Sequence, residues 1–440
     1  MKTASVPAAF RKHLKRQLPL LEHDGLITPD QAQAIASRYR LSGLASESTR
    51  TLVMVIYTIG AFLIGIGVIS FVAAHWTAIP RMLKVSLIFA AMLGAHGAGF
   101  YLWKVSRKSP SLGHALILLG TLIYGANIGL MAQIFHIEGR WNGLFLPWAF
   151  GALIMGYAVC STPGVVIAIV TSVIWFLGGA GYGGQVCWYY PFAAAALFLP
   201  YCHWRKSQFA FTAALLAIGI AVLVCSAGRN RGDLIGSAFV VLGLLYTCWG
   251  LIACSGRFTS FGPPAVFLGF LSTTIAVYLA GFQGIAEEWL YAADIPGRIG
   301  FTEGAPLLAA LVTGIVLMVP AALRVRSRPG AVQILGAVVA AFGLFVIGSF
   351  TASQLIFAVL ANIALFVLAA ALVGTARDLE DRRLFWSGVV LVALMVVSRT
   401  LEYETGLLIK ALVFTVGGIA VIASGVMFER FLRTRRIAHE

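Results

Sequence analysis

Charge is what this sequence has least of. Asp, Glu, Lys and Arg make up 11% of its 440 residues, against 60% hydrophobic residues. A soluble domain carries roughly 25% charge. With a mean hydropathy of +0.90 the chain cannot be a water-soluble globule. Acidic residues are scarcer still. All 17 fall in the N-terminal segment, in connections, at the ends of apolar runs or in the C-terminal tail. Ion-coupled antiporters place a carboxylate near the membrane midplane, and intramembrane aspartyl proteases need two there. The lack of one argues against both. The six cysteines form no CxxC pair and sit mostly in apolar runs, where they read as small buried hydrophobes. There is no Walker A loop, GxSxG or HExxH, and GIGVIS follows no strand, so it is no dinucleotide fingerprint. No catalytic residue, cofactor or metal is assigned. The first fifty residues lack an apolar core, so no cleavable signal peptide is expected.

What is present is membrane. About fourteen apolar runs, from 52–74 to 408–428, each approach the roughly 20 residues that cross a bilayer. The anchor is Leu52–Ala74, free of charge, which ends in His75-Trp76 and a Pro80-Arg81 turn. The shortest runs are 188–203, which holds Pro191 and Pro200, and 384–398. The net charge of +15 lies between the runs rather than along a groove, so no nucleic-acid partner is expected. With the N-terminus inside, 24 of the 32 basic residues fall on the cytoplasmic side and 8 on the other. The expected fold is all-α: a polytopic helical bundle with both termini cytoplasmic.

Residues 1–50 are expected to form a basic cytoplasmic helical hairpin, 51–430 the bundle and 431–440 a basic tail. In the hairpin, Leu14–Leu21 reads as a helix and His23-Asp24-Gly25 as a turn. Thr28-Pro29-Asp30-Gln31 then opens a second helix as a capping box. This hairpin is the place for a protein partner; membrane lipids are the other partner. The segment 283–304, with Glu287, Glu288 and Trp289, is expected to lie on the membrane surface, its aromatics at headgroup level.

GLITPDQAQAIASRY, GAFLIGIGVISFVAAHWTAIPR and GTLIYGANIGLMAQIFHIEGRWNGLFLPWA together resemble bacterial membrane proteins of domain-of-unknown-function family 2157, over roughly residues 14–180. The resemblance implies a bacterial cytoplasmic-membrane protein and no established activity.

Few polar residues lie at membrane depth. His96 and Asn127 are candidates for helix packing or a pathway, as are Gln333, Gln354 and Asn362 in later runs. Gly125 and Gly129 share a face and read as a packing surface. A basic and polar group gathers at the outer ends of the early runs: Arg81, Lys84, Gln133, His136 and Arg140, near Trp76 and Trp141. Gln133 and His136, three apart, are expected on one helix face. This group is a candidate site for an anionic headgroup, set against simple snorkelling and aromatic anchoring. His75, His136 and Glu138 lack HxxxH or HxH spacing, and Arg399, Glu402, Glu404 and Lys410 read as interfacial ion pairs.

Three functions stay open. The first is a transporter or flippase-like carrier of a lipid-linked or amphipathic envelope molecule, which needs a polar central cavity. The second is a non-catalytic scaffold or sensor acting through the hairpin, which fits a solid bundle with an apolar groove. The third is a membrane-embedded transferase, which needs a pocket converging on His136 and Glu138.

Overall fold

The computed structural model describes residues 8–39, 79–107, 110–181, 188–227, 234–256, 258–293, 301–351, 353–402 and 406–439. The expected first span, with His75-Trp76, lies outside them, as do Cys187 and Glu404. By contacts the chain divides into Met1–Ser86 and Leu87–Glu440.

The first unit carries the hairpin: α1 (Ala8–His23) and α2 (Pro29–Arg38). Gly25 turns the chain at φ +70°, a conformation that glycine reaches without strain. The capping box forms as the sequence predicts. The Gln31 N–H donates to Thr28 Oγ1 (3.3 Å) and the Thr28 N–H to Gln31 Oε1 (3.0 Å). Leu18 and Ala32 are buried where the two helices meet, packed by Leu14, Ile27 and Ile35.

The second unit holds the bundle, apart from the first six residues of its first helix, which fall in the first unit. Its helices are α3 (Arg81–Phe100), α4 (Pro110–Ile134), α5 (Phe145–Ala158), α6 (Thr162–Gly181), α7 (Tyr190–Arg205), α8 (Gln208–Ala227) and α9 (Ile235–Cys254). There follow α10 (Gly262–Ala280), α11 (Gln283–Ala293), α12 (Phe301–Val325), α13 (Pro329–Ser349), α14 (Gln354–Leu379), α15 (Arg382–Glu402) and α16 (Leu407–His439). Among the described residues, 11 helices are long and apolar enough to span a bilayer. Two further expected runs are the shorter helices α5 and α7. With 52–74, this matches the expected count of about fourteen. Helix α16 continues through the basic tail.

Contacts join helix ends as the alternation requires. At the basic end, Arg324 donates to the Ile252 carbonyl (3.2 Å), Arg382 pairs with Glu429 (2.7 Å) and Gln333 donates to Asp378 (3.4 Å). At the opposite end, the Asn142 amide donates to the Trp175 carbonyl (2.9 Å) and Arg399 to that of Tyr278 (2.6 Å).

Three hairpin turns at the basic end share one geometry. Cys160, Lys206 and Glu380 each close a helix in the left-handed conformation, at φ 56°, 52° and 54°. In each case the next residue, Ser161, Ser207 or Asp381, donates its N–H back to the carbonyl of Gly156, Cys202 or Ala376. It then caps the following helix, accepting from the N–H of Gly164, Ala210 or Arg383. One residue thus ends a helix and its neighbour starts the next, leaving almost no loop.

The core sits around α9. Val240, Leu244, Thr247 and Cys248 are at most 1% exposed, as are Thr273 and Val277 of α10. Glycines let these two helices touch backbone to backbone. A Cβ on Gly250 would lie 2.9 Å from the Gly262 carbonyl, and one on Gly262 2.8 Å from that of Gly250. Gly243 and Gly269 face each other in the same way, at 3.0 and 2.8 Å. The partners are seven residues apart on each helix, so they recur after two turns.

In the amphipathic segment α11, Glu287 and Glu288 are exposed and Ala286 and Leu290 buried, as a surface helix requires. Trp289 packs inward, on Gly236 at the start of α9 and on Phe345. Gly236 leaves the space that its indole fills.

Candidate functional site

The polar group predicted at the outer helix ends is placed as follows. Arg81 and Lys84 lie in the first turn of α3, Arg81 exposed. Gln133 is exposed in the last turn of α4. His136 lies past the end of that helix, at φ 53°, so it does not share a helix face with Gln133. The Ile137 N–H closes this turn on the Ala132 carbonyl (2.9 Å), which takes His136 off the helical path. Arg140 is exposed just before Trp141, whose neighbour Asn142 anchors on α6.

The polar residues predicted at membrane depth are placed as follows. The His96 Nδ1 bonds the Met92 carbonyl (2.9 Å), and its ring fills the space that Gly120 leaves on α4. Asn127 is buried at 4% exposure. Its amide donates to Met92 Sδ at 3.9 Å, and its Oδ1 has no partner among the described residues. Gly125 receives the Trp148 indole, whereas Gly129 meets nothing within 4 Å among the described residues. Gln354 is exposed.

Asn362 belongs to a network that the sequence hid. Arg399, read as interfacial, is 9% exposed. Its Nε donates to Asn362 Oδ1 (2.9 Å), Nη1 to Glu402 (3.2 Å) and Nη2 to the Tyr278 carbonyl (2.6 Å). The guanidinium lies 3.7 Å from the Phe282 ring centre. Glu402 also accepts the Gln283 N–H (2.7 Å), where α11 begins. The guanidinium thus clamps α10, α14 and α15 together, and Asn362 also lines a shallow apolar cavity of about 550 Å³ with Val359, Phe366 and Met395.

Among the open sites, a further cavity of about 460 Å³ lies between α15 and α16 at Trp386 and Arg430, and two lie on two sides of α7. One is an apolar cavity of about 540 Å³ walled by Phe211, Trp249, Phe258, Phe261 and Pro200, with exposed His203 at its edge. The Tyr246 hydroxyl, also on its wall, is already committed to the Leu215 carbonyl (2.8 Å).

The other cavity, about 680 Å³, is lined by Trp103, His114, Ser161, Thr162 and Arg205, with Leu118 and Val159. Local packing builds it. Gly99 and Gly113 let the end of α3 and the start of α4 approach within backbone contact, which sets Trp103 against His114 at 5.1 Å between rings. The Cys160 turn places Ser161 and Thr162 on the opposite wall, at the start of α6. Residues 19–164 match a family model described as a predicted membrane protein (DUF2157). The matched stretch takes in α2 to α5, the end of α1 and the turn into α6. The matched stretch thus supplies every wall of this cavity except Arg205. No curated protein and no solved structure matches the chain.

Sequence reading missed this cavity because its residues lie on four separate helix ends. Arg205 read as one more positive-inside charge, His114 stood at the start of an apolar run and Thr162 in the short gap between two runs, none with a motif.

Proposed function

We propose that the protein binds membrane lipids at the rim of a filled helical bundle, as a non-catalytic scaffold or sensor. What carries the reading is the position of empty space. Around α9 the interior is packed and apolar, whereas the two cavities beside α7 lie at its edge. A solute path through the middle needs polar lining, and α9 and α10 close that route with backbone contact. The output element of a sensor is the α1–α2 hairpin, where Leu20 and Leu26 are 56% and 69% exposed.

The second reading is the carrier of a lipid-linked or amphipathic envelope molecule, favoured by the aromatic cavity beside α7. Reconstituted proteoliposomes separate the two. The scaffold reading expects fluorescent lipid to flip no faster than in protein-free vesicles, while the purified protein retains lipid in native mass spectrometry. Flipping well above the protein-free rate would replace it with the carrier reading. A transferase reading has less support, since His136 and Glu138 are both exposed and line neither of these cavities.

The setting we propose is a bacterial cytoplasmic membrane with the basic end inside. A single cysteine at position 288 in a cysteine-free background is then expected to label from outside only. Labelling from the cytoplasmic side alone would invert the arrangement.

A further inference from the structure

We propose that the cavity between Trp103, His114, Thr162 and Arg205 binds the phosphate of an anionic lipid headgroup. The inference rests on the lipid-binding reading and names the chemistry of one of its two cavities.

Three observations converge. The first is charge. Arg205 ends α7 on the cavity wall, exposed, and no carboxylate pairs with it among the described residues. A guanidinium offers a planar fork of donors that fits a phosphate. Lys104, whose ammonium lies 4.7 Å from the Trp103 ring centre, adds a second cation beside the wall.

The second is the start of α6. Ser161 and Thr162 line the cavity, so the partial positive charge of a 20-residue helix is directed at it. Pro163 has no N–H, and Ser161 takes the N–H of Gly164 (3.3 Å). The Thr162 hydroxyl is on the wall as a further donor.

The third is an unfilled valence. Tyr201 is 0% exposed, and its hydroxyl makes no hydrogen bond among the described residues. The side chains of Thr162 and Arg205, both on the cavity wall, approach that hydroxyl as hydrogen-bond partners, though neither contact meets full hydrogen-bond geometry. Leaving a buried hydroxyl unpaired is costly. Tyr201 stands behind this wall rather than on it, so its hydroxyl would act on a bound phosphate through Thr162 and Arg205.

The remaining walls are apolar. Leu118, Ala115 and Val159 give the glycerol and upper chain of a lipid a dry surface, which a free phosphate does not need. Trp103 suits the level at which indoles sit between headgroup and hydrocarbon. These walls favour a lipid over an inorganic ion.

Native mass spectrometry of the full chain, released from nanodiscs, tests this with phosphatidylglycerol against phosphatidylcholine. Wild type is expected to retain the anionic lipid preferentially. Arg205→Gln is expected to lose roughly tenfold or more of that retention, one charge-assisted hydrogen bond being worth about a factor of ten or more. Tyr201→Phe is the sharper variant. Without lipid it should unfold no earlier than wild type, since it removes an unpaired group. With phosphatidylglycerol it should gain less thermal stability than wild type does. Arg324→Gln, a basic-end residue outside the cavity, should behave as wild type.

Equal phosphatidylglycerol retention by wild type, Arg205→Gln and Tyr201→Phe would overturn the site and leave lipid binding elsewhere intact. Saturation by millimolar inorganic phosphate, with no anionic lipid retained, would overturn the lipid assignment. Retention of neither lipid by wild type would remove the lipid-binding reading itself.

Discussion

Arg399→Met is expected to destabilise the bundle by about 3–5 kcal/mol, the usual cost of removing one partner from a buried ion pair. Its side chain is 11% exposed and that of Glu402 19%, so water cannot replace what is lost. The substitution leaves a carboxylate, the Asn362 Oδ1 and the Tyr278 carbonyl without their donor. It also removes a cation stacked on Phe282. Glu402 holds the first N–H of α11, so the surface helix is expected to loosen as well. Denaturant titration in detergent reads the effect, together with a fall in melting temperature of a few degrees. The double variant Arg399→Met, Glu402→Gln should recover part of the loss, because no buried charge then stands alone. A change below about 1 kcal/mol would return Arg399 to the exposed ion pair that its position near a span end suggests.

Gly250→Ala is expected to cost about 1–3 kcal/mol, the range for overpacking, and Gly250→Val more. The added methyl would stand 2.7 Å from the Val266 nitrogen and 2.9 Å from the Gly262 carbonyl. Both are backbone atoms, so relief requires α9 and α10 to separate, and with them the centre of the core. The ordinary helix preference runs the other way, alanine being favoured over glycine by about 1 kcal/mol. Gly336→Ala and Gly343→Ala in α13, where a Cβ meets nothing within 4 Å among the described residues, are the controls and should stabilise slightly. If Gly250→Ala matched them in thermal unfolding, the close packing of α9 on α10 would be wrong.

These two cases mark where reading the sequence stops. The Gly250–Gly262 and Gly243–Gly269 contacts repeat every seven residues on both helices, yet glycine is common throughout the chain. Nothing in the spacing tells which glycines face a partner and which, like Gly336, face open space. Arg399 shows the same limit for charge. Its sequence neighbours place it near a span end, where arginines snorkel, but three helices converge there and bury it.

The candidate site was still less legible. The outer-end group was chosen because Arg81, Lys84, Gln133, His136 and Arg140 are close along the chain or across short connections. His136 then leaves the helix in a left-handed turn, which its sequence does not announce. The cavity at the opposite end draws Trp103, His114, Thr162 and Arg205 from helix ends up to a hundred or so residues apart.

The sequence by itself determined the solvent, the fold class, the approximate number of spans and the capping of α2. The reason is that these depend on one segment at a time: a run of 20 apolar residues must sit in lipid, and Thr28 and Gln31 are three apart. Only the tertiary structure decided that the middle is filled, that Arg399 is buried and that empty space lies beside α7. Each of these is a meeting of side chains from different helices, and in a bundle where almost every face is apolar, hydropathy cannot say which faces meet.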